Sequence, residues 1–152
     1  MTDLDSLDRK ILARLQQEAR RPISDIAKEL GIPITTAHMR LKKMHDAGVI
    51  KSHALVLDPQ ALGFQVQAFV GLTMNQSHAF GQVLSELKKL PEITEILYTT
   101  GQYSLFLRIW AKSIPHLHLL LSQQIQAVAN VQSTETFIVL DAPVHRDLPL
   151  ST

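Results

Sequence analysis

The chain contains no cysteine. That excludes a disulfide framework, a thiolate metal site and a thiol nucleophile. Aromatic residues make up only 5% of its 152 positions, and there are six glycines and seven prolines. No internal repeat or low-complexity tract is present. No apolar run approaches the roughly 18 residues that a membrane span needs, because His, Gln or Lys interrupts each within a few positions. The start, Met1-Thr2-Asp3-Leu4-Asp5, is acidic and leads straight into a helical pattern. No secretory signal is expected there, and a cytoplasmic location is. Gly-x-Ser-x-Gly, His-Glu-x-x-His and phosphate-binding glycine loops are all missing. His116 and His118 flank Leu117, but on a helix they point about 200° apart, a poor chelate. The expectation is a protein with no metal and no cofactor that is not an enzyme.

What is present is enough apolar material, 45% of residues, for one ordinary domain or two small ones, with 19% charged residues for the surface. The net charge of +1 conceals an asymmetry. Residues 1–60 hold ten Lys/Arg against eight Asp/Glu, and residues 61–152 hold five against six. Arg40, Lys42, Lys43 and Lys51 cluster between Thr35 and His53 with a single acid, Asp46, and with His38 and His45 among them. Such a strip is a candidate nucleic-acid footprint, although a solvated helix face carries similar charge.

Apolar spacing divides the chain. Leu4, Leu7, Ile11, Leu12 and Leu15 repeat at helical intervals, with Asp3, Asp5 and Asp8 at the end where the helix dipole favours acids. After Arg20-Arg21-Pro22, the set Ile23, Ile26, Ala27 and Leu30 predicts a second helix capped by Ser24 and stopped by Gly31. A third helix is predicted from Pro33 to Asp46, with Ala37, Leu41 and Met44 inward. Val49–Leu57 would form a wing beside it. Residues 59–64 read as a hinge. Beyond it the order is strand, helix, strand, strand, helix, strand, the ferredoxin-like βαββαβ arrangement. The fold class is therefore α+β. Its parts are residues 1–58, the hinge at 59–64, a second domain at 65–142 and a loose tail at 143–152.

The second and third helices meet across Gly31-Ile32-Pro33, a turn that forces a sharp crossing between small residues Ala27 and Ala37. At roughly 100° per residue, the inward set turns Thr35, Met39, Lys42 and Lys43 outward and leaves Thr36, His38 and Arg40 at the flanks. Recognition helices read base edges with N-terminal residues and hold phosphates with basic ones. Thr35, Thr36, His38, Met39, Arg40, Lys42, Lys43 and, on the wing, Lys51 are thus the candidate contacts to double-stranded DNA. An ordinary amphipathic surface helix shares this pattern.

Leu4-Asp5-Ser6-Leu7-Asp8-Arg9-Lys10-Ile11-Leu12, Ile26-Ala27-Lys28-Glu29-Leu30-Gly31, Arg40-Leu41-Lys42-Lys43-Met44 and Ala47-Gly48-Val49-Ile50-Lys51 resemble the Lrp/AsnC, or feast/famine, family of regulators. The resemblance runs through Leu62-Gly63 to Leu140. It implies a winged helix-turn-helix joined to a domain that senses a ligand and oligomerises. One position departs from it. Family members usually place Ser after the Gly-x of the turn, whereas this chain has Pro33, leaving Thr35 or Thr36 to cap the helix.

In the second half, Tyr98-Thr99-Thr100-Gly101-Gln102-Tyr103-Ser104 would place a glycine at a hairpin apex among hydroxyl and amide groups able to reach a small zwitterion. A plain β-hairpin would read alike. Many Lrp-like members have Gly-Asp-Tyr/Phe-Asp here, and both acids are replaced, by Gln102 and Ser104. The segment instead resembles the asparagine-responsive AsnC branch, as do Ile125-Gln126 and Gln132-Ser133-Thr134-Glu135-Thr136. That likeness implies a small amino-acid effector, asparagine, held between dimers by Tyr98, Thr99, Thr100, Gly101, Gln102, Ser104 and Gln126.

Alternation puts Phe69, Phe106 and Trp110 on the sheet face opposite the helices, a surface for sheet-to-sheet dimerisation. The family implies a homodimer assembling into a homo-octamer. Sirohaem decarboxylases share the architecture and form the enzymatic alternative; the basic third helix and the AsnC-like hairpin argue against it.

Overall fold

A computed structural model describes residues 4–75 and 79–150, so Asp3 and the last two residues of the predicted tail lie outside the described residues. The chain forms two compact units. One comprises residues up to Leu55 together with those from Val144 onward, and the other is Val56–Pro143.

The first unit contains α1 (Ser6–Gln17), α2 (Ile23–Glu29) and α3 (Ile34–Asp46). Ile11, Ile26 and Met44, one from each helix, form its buried centre, flanked by Leu7, Leu15, Leu30 and Leu41. Ala27 and Ala37 are buried where α2 and α3 approach. Gly31 makes their turn with φ of +64°, the left-handed conformation that a Cβ would strain. Asp5 caps α1: the Asp8 N–H donates to its carboxylate at 2.9 Å, and the Asp5 N–H donates back to Asp8 at 3.3 Å.

Three local expectations are corrected. Pro22, not Ser24, occupies the N-cap of α2, since the φ of proline already suits a helix start and Ser24 falls inside the first turn. No side chain caps α3, so neither Thr35 nor Thr36 replaces the missing serine. No strand is present in residues 51–58, so the wing hairpin expected there is not formed. In the C-terminal segment, Gln16 Nε2 donates to the Leu148 carbonyl at 3.0 Å, and Leu148 and Leu150 line one cavity with Leu12, Leu15 and Val49.

The second unit follows βαββαβ order: β1 (Val66–Met74), α4 (Phe80–Leu87), β2 (Ile93–Tyr98), β3 (Leu105–Ala111), α5 (Ile114–Leu119) and β4 (Val131–Ile138). A π-helical segment, Leu120–Ile125, continues α5. The sheet order is β2-β3-β1-β4 and all three pairings are antiparallel. Ala68, Val70 and Leu72 of β1 and Leu105, Leu107 and Ile109 of β3 are buried against Val83, Leu87, Leu117, Leu120 and Ile125. Each large aliphatic side chain so buried contributes about 1.5–3 kcal/mol relative to exposure. The alternate residues Phe69, Phe106 and Phe137 lie on the other face, where Phe106 and Phe137 stack at 6.3 Å. No helix among the described residues is long and apolar enough to cross a membrane.

Candidate DNA-reading and effector sites

On α3, Thr35, His38, Met39 and Lys42 are exposed at spacings i, i+3, i+4 and i+7, one continuous stripe. Met39, 66% exposed, is a large apolar side chain with nothing covering it. Lys43 is also exposed, and Thr36 is half-buried at the edge of the stripe. Lys51 follows in the segment without strand structure, which returns to the end of α3 where His45 and His53 meet with ring centroids 5.5 Å apart.

Arg40 is different. Its Nη1 donates to Asp5 Oδ2 at 2.5 Å and to Asp8 Oδ1 at 2.8 Å, and the side chain is 25% exposed. It therefore joins α3 to the capped start of α1 instead of standing with the outward cations. The flanking angle anticipated from the sequence turns it toward α1. The two carboxylates raise the Arg40 pKa, Asp5 contributing most.

The pKa of Asp5 is held below the ordinary carboxylate value by the Asp8 N–H and then by Arg40. Glu29 is held low by Arg14, at 2.7 Å, and by Arg21, at 2.6 Å. Folded-state carboxylates with depressed pKa values stabilise fully above the unfolded-state range, and that stabilisation disappears as pH falls through the lowered values. Melting of the first unit is accordingly expected to be flat from pH 7 to pH 5 and to drop below about pH 4. Asp5→Asn should flatten the acid limb, a result readable by circular dichroism at a series of pH values.

In the second unit, Thr99–Ser104 closes the β2–β3 hairpin. The Thr99 N–H donates to the Ser104 carbonyl at 3.1 Å, and the Ser104 N–H donates to Leu72 of β1 at 2.8 Å. The Thr99 hydroxyl donates to the Tyr103 carbonyl. Thr100, Gly101 and Gln102 are exposed at the apex. Tyr98, 71% exposed, packs edge-on against Phe80 at 4.9 Å. Gln126 follows the π-helical segment, and its Nε2 donates to Thr134 Oγ1 of β4 at 2.8 Å. Thr134 pairs with Leu72, which pairs on its other side with Leu105. Gln126 thus sits at the same end of the sheet as the loop, but Thr134 and Leu105 are two strand spacings apart, about 10 Å. One subunit brings the six loop residues together and leaves Gln126 beside them.

Gly71 is not singled out by the sequence reading, and Tyr103 and Thr134 stand there only within AsnC-like segments, without a role of their own. A glycine inside an otherwise apolar strand was the available signal for the first two, since it marks a close approach. Among the described residues no group of three or more His, Cys, Asp or Glu is placed to hold a metal. His116 is used locally, its Nδ1 accepting from the Lys112 N–H at 3.2 Å.

Comparison with known proteins agrees with this division. Residues 4–51 match the winged helix-turn-helix DNA-binding domain, and residues 67–149 match the Lrp/AsnC ligand binding domain. The chain belongs to the Lrp/AsnC family. Regulatory protein AsnC of Haemophilus influenzae is 38% identical over 148 residues, covering 97% of this chain and 99% of its own. The solved structure of Escherichia coli AsnC superposes with a TM-score of 0.92 at 37% identity, over 97% of this chain and 99% of that one. A regulator from Neisseria meningitidis, solved as an L-Met complex, shares the fold at a TM-score of 0.91 and 24% identity, over 97% of each chain. The AsnC relatives are named as regulatory proteins, and this Lrp/AsnC chain is a transcriptional regulator with a ligand-binding domain, not an enzyme.

Proposed function

We propose that this Lrp/AsnC regulator is a cytoplasmic protein that binds specific double-stranded DNA through α3 and releases or tightens its grip when asparagine occupies the Thr99–Ser104 end of the sheet. The observation that carries the DNA half is the uncovered stripe of Thr35, His38, Met39 and Lys42, with Lys43 and Lys51 beside it. Short and flexible side chains near the start of α3 suit base edges; the lysines suit phosphates. Thr36 stands at the edge of the stripe, and Arg40 orients the helix from behind.

For the effector, the apex offers hydroxyl and amide groups without a net charge, Thr99, Thr100, Gln102 and Ser104, which match a polar amide side chain. Tyr98 supplies a wall and Gly101 leaves backbone donors accessible. Gln126, which follows the π-helical segment and is bonded to Thr134 of β4, completes the set, and the separation of about 10 Å favours an effector shared between subunits. The outer sheet face, with Phe69, Phe106, Phe137 and Trp110, supports a homodimer, and dimers would assemble into an octamer. Asparagine then acts only through unequal affinity for two arrangements of that assembly.

An electrophoretic shift on the gene's own upstream region, with and without asparagine, tests the whole reading. A change in DNA affinity with asparagine and not with aspartate is the expected result; no amino-acid effect at millimolar concentration would refute the effector. Gln126→Ala should weaken asparagine about fivefold, the loss of one hydrogen bond, while leaving DNA binding without effector intact. Light scattering of the eluted peak reads the assembly.

A further inference from the structure

Gly71 lies on the outer face of β1, yet it is buried. Its cover is the ring of Tyr103: a Cβ built on Gly71 would stand 2.6 Å from Tyr103 Cγ, far inside contact distance. In register, Gly71 sits between Phe106 of β3 and Glu135 of β4. The tyrosine ring crosses that row, touching Phe106 edge-on at 5.5 Å, and its hydroxyl donates to the Glu135 carboxylate. Phe106 in turn stacks on Phe137. Glycine within a strand is less stable than alanine, so a flat slot here comes at the expense of strand stability. The occupant of the slot belongs to the hairpin loop, and its own carbonyl accepts from the Thr99 hydroxyl.

We propose that Tyr103 is the positioning residue of the effector loop: seated in the Gly71 slot and tied to Glu135, it fixes Thr99–Ser104 against β1, and it makes the geometry of the loop depend on the outer face of the sheet. The inference rests on the reading of that loop as the effector site. Neither Gly71 nor Tyr103 touches the effector in this scheme. Anything that presses on or vacates the aromatic row of Tyr103, Phe106 and Phe137 moves the loop, and occupation of the loop biases the row. Two remote events thereby share one side chain.

The full-length protein and three variants decide it. Gly71→Ala fills the slot, Tyr103→Ala removes the ring without filling anything, and Val70→Ala damages the core of the same strand on its other face, where Val70 is fully buried. Amide hydrogen exchange across residues 99–104 in the ligand-free protein is read first. Gly71→Ala and Tyr103→Ala should speed exchange at Thr99 and Ser104 at least tenfold, because the Thr99 amide bonds across the positioned loop and the Ser104 amide ties that loop to Leu72 of β1. Asparagine affinity by calorimetry should fall at least tenfold in both, whereas Val70→Ala lowers the melting temperature and leaves exchange and affinity unchanged. Tyr103→Phe, which keeps the ring and loses only Glu135, should fall between. Wild-type exchange in both slot variants overturns the proposal, as does Val70→Ala moving the loop equally, or faster exchange with unchanged affinity. If the unaltered protein binds no amino acid, the effector reading fails, and exchange alone decides the role of Tyr103.

Discussion

Asp8→Ala is expected to cost the DNA-binding unit about 3 kcal/mol, the sum of a buried charge-assisted hydrogen bond and half of a helix cap. Asp8 is 1% exposed, and among the described residues its only cation is Arg40, across the interface between α1 and α3. Removing the carboxylate abolishes half of the capping box and leaves a guanidinium largely enclosed, with its Nε already lacking a hydrogen-bond partner. Arg40 keeps its bond to Asp5 at 2.5 Å, so the loss is one buried charge-assisted hydrogen bond together with the cap, and that still exceeds a missing surface pair. Arg40→Met should cost at least as much, since it leaves the 1%-exposed Asp8 carboxylate with the Asp5 N–H and no cation. Amide exchange in residues 5–50 separates this unit from the second one. The same experiment decides the role of Arg40. If Arg40→Met reduces the salt dependence of DNA binding as Lys42→Ala does, Arg40 contacts phosphate; an unchanged salt slope with lower stability assigns it to positioning.

DNA affinity should fall about a thousandfold between 50 and 200 mM salt. Lys42, Lys43 and Lys51 are exposed and unpaired by any described acid. The proposed dimer would present each twice, and about six neutralised phosphates give a slope near −5 in a plot of log K against log salt. Lys42→Ala removes two contacts per dimer and should make the slope shallower by about 2, weakening every DNA sequence alike. His38→Ala or Thr36→Ala should instead change which sequence is preferred at a nearly constant slope. A slope near zero in the unaltered protein would sink the DNA-reading assignment of the stripe.

Much of this molecule was legible from spacing. The positions of Ile11, Ile26, Ala37 and Met44, and of Val70, Leu72, Leu107 and Ile109, declare their burial because helices and strands repeat with fixed periods. The exposed stripe on α3 follows from the same arithmetic, and so does the outward turn of Phe69 and Phe106. The hairpin apex at Gly101 was readable from turn chemistry. The failures share a cause. Ser24 lost the cap to Pro22 through a two-position shift of the helix start that periodicity does not resolve. Lys51 sits on a segment without strand structure and not on a hairpin, because strand pairing requires a partner that apolar alternation cannot name.

The charge asymmetry, the absence of cysteine, the element order and the inward faces were determined by sequence alone, since each depends on composition or on neighbours within a few residues. Partner choice was decided by the tertiary structure. Arg40 finds acids 32 and 35 residues away. Tyr103 finds a slot at Gly71 and a carboxylate at Glu135, 32 residues further along. Such contacts are set by how elements cross and in what register strands pair. A guanidinium looks the same in sequence whether it faces phosphate or a buried aspartate, and only packing distinguishes the two.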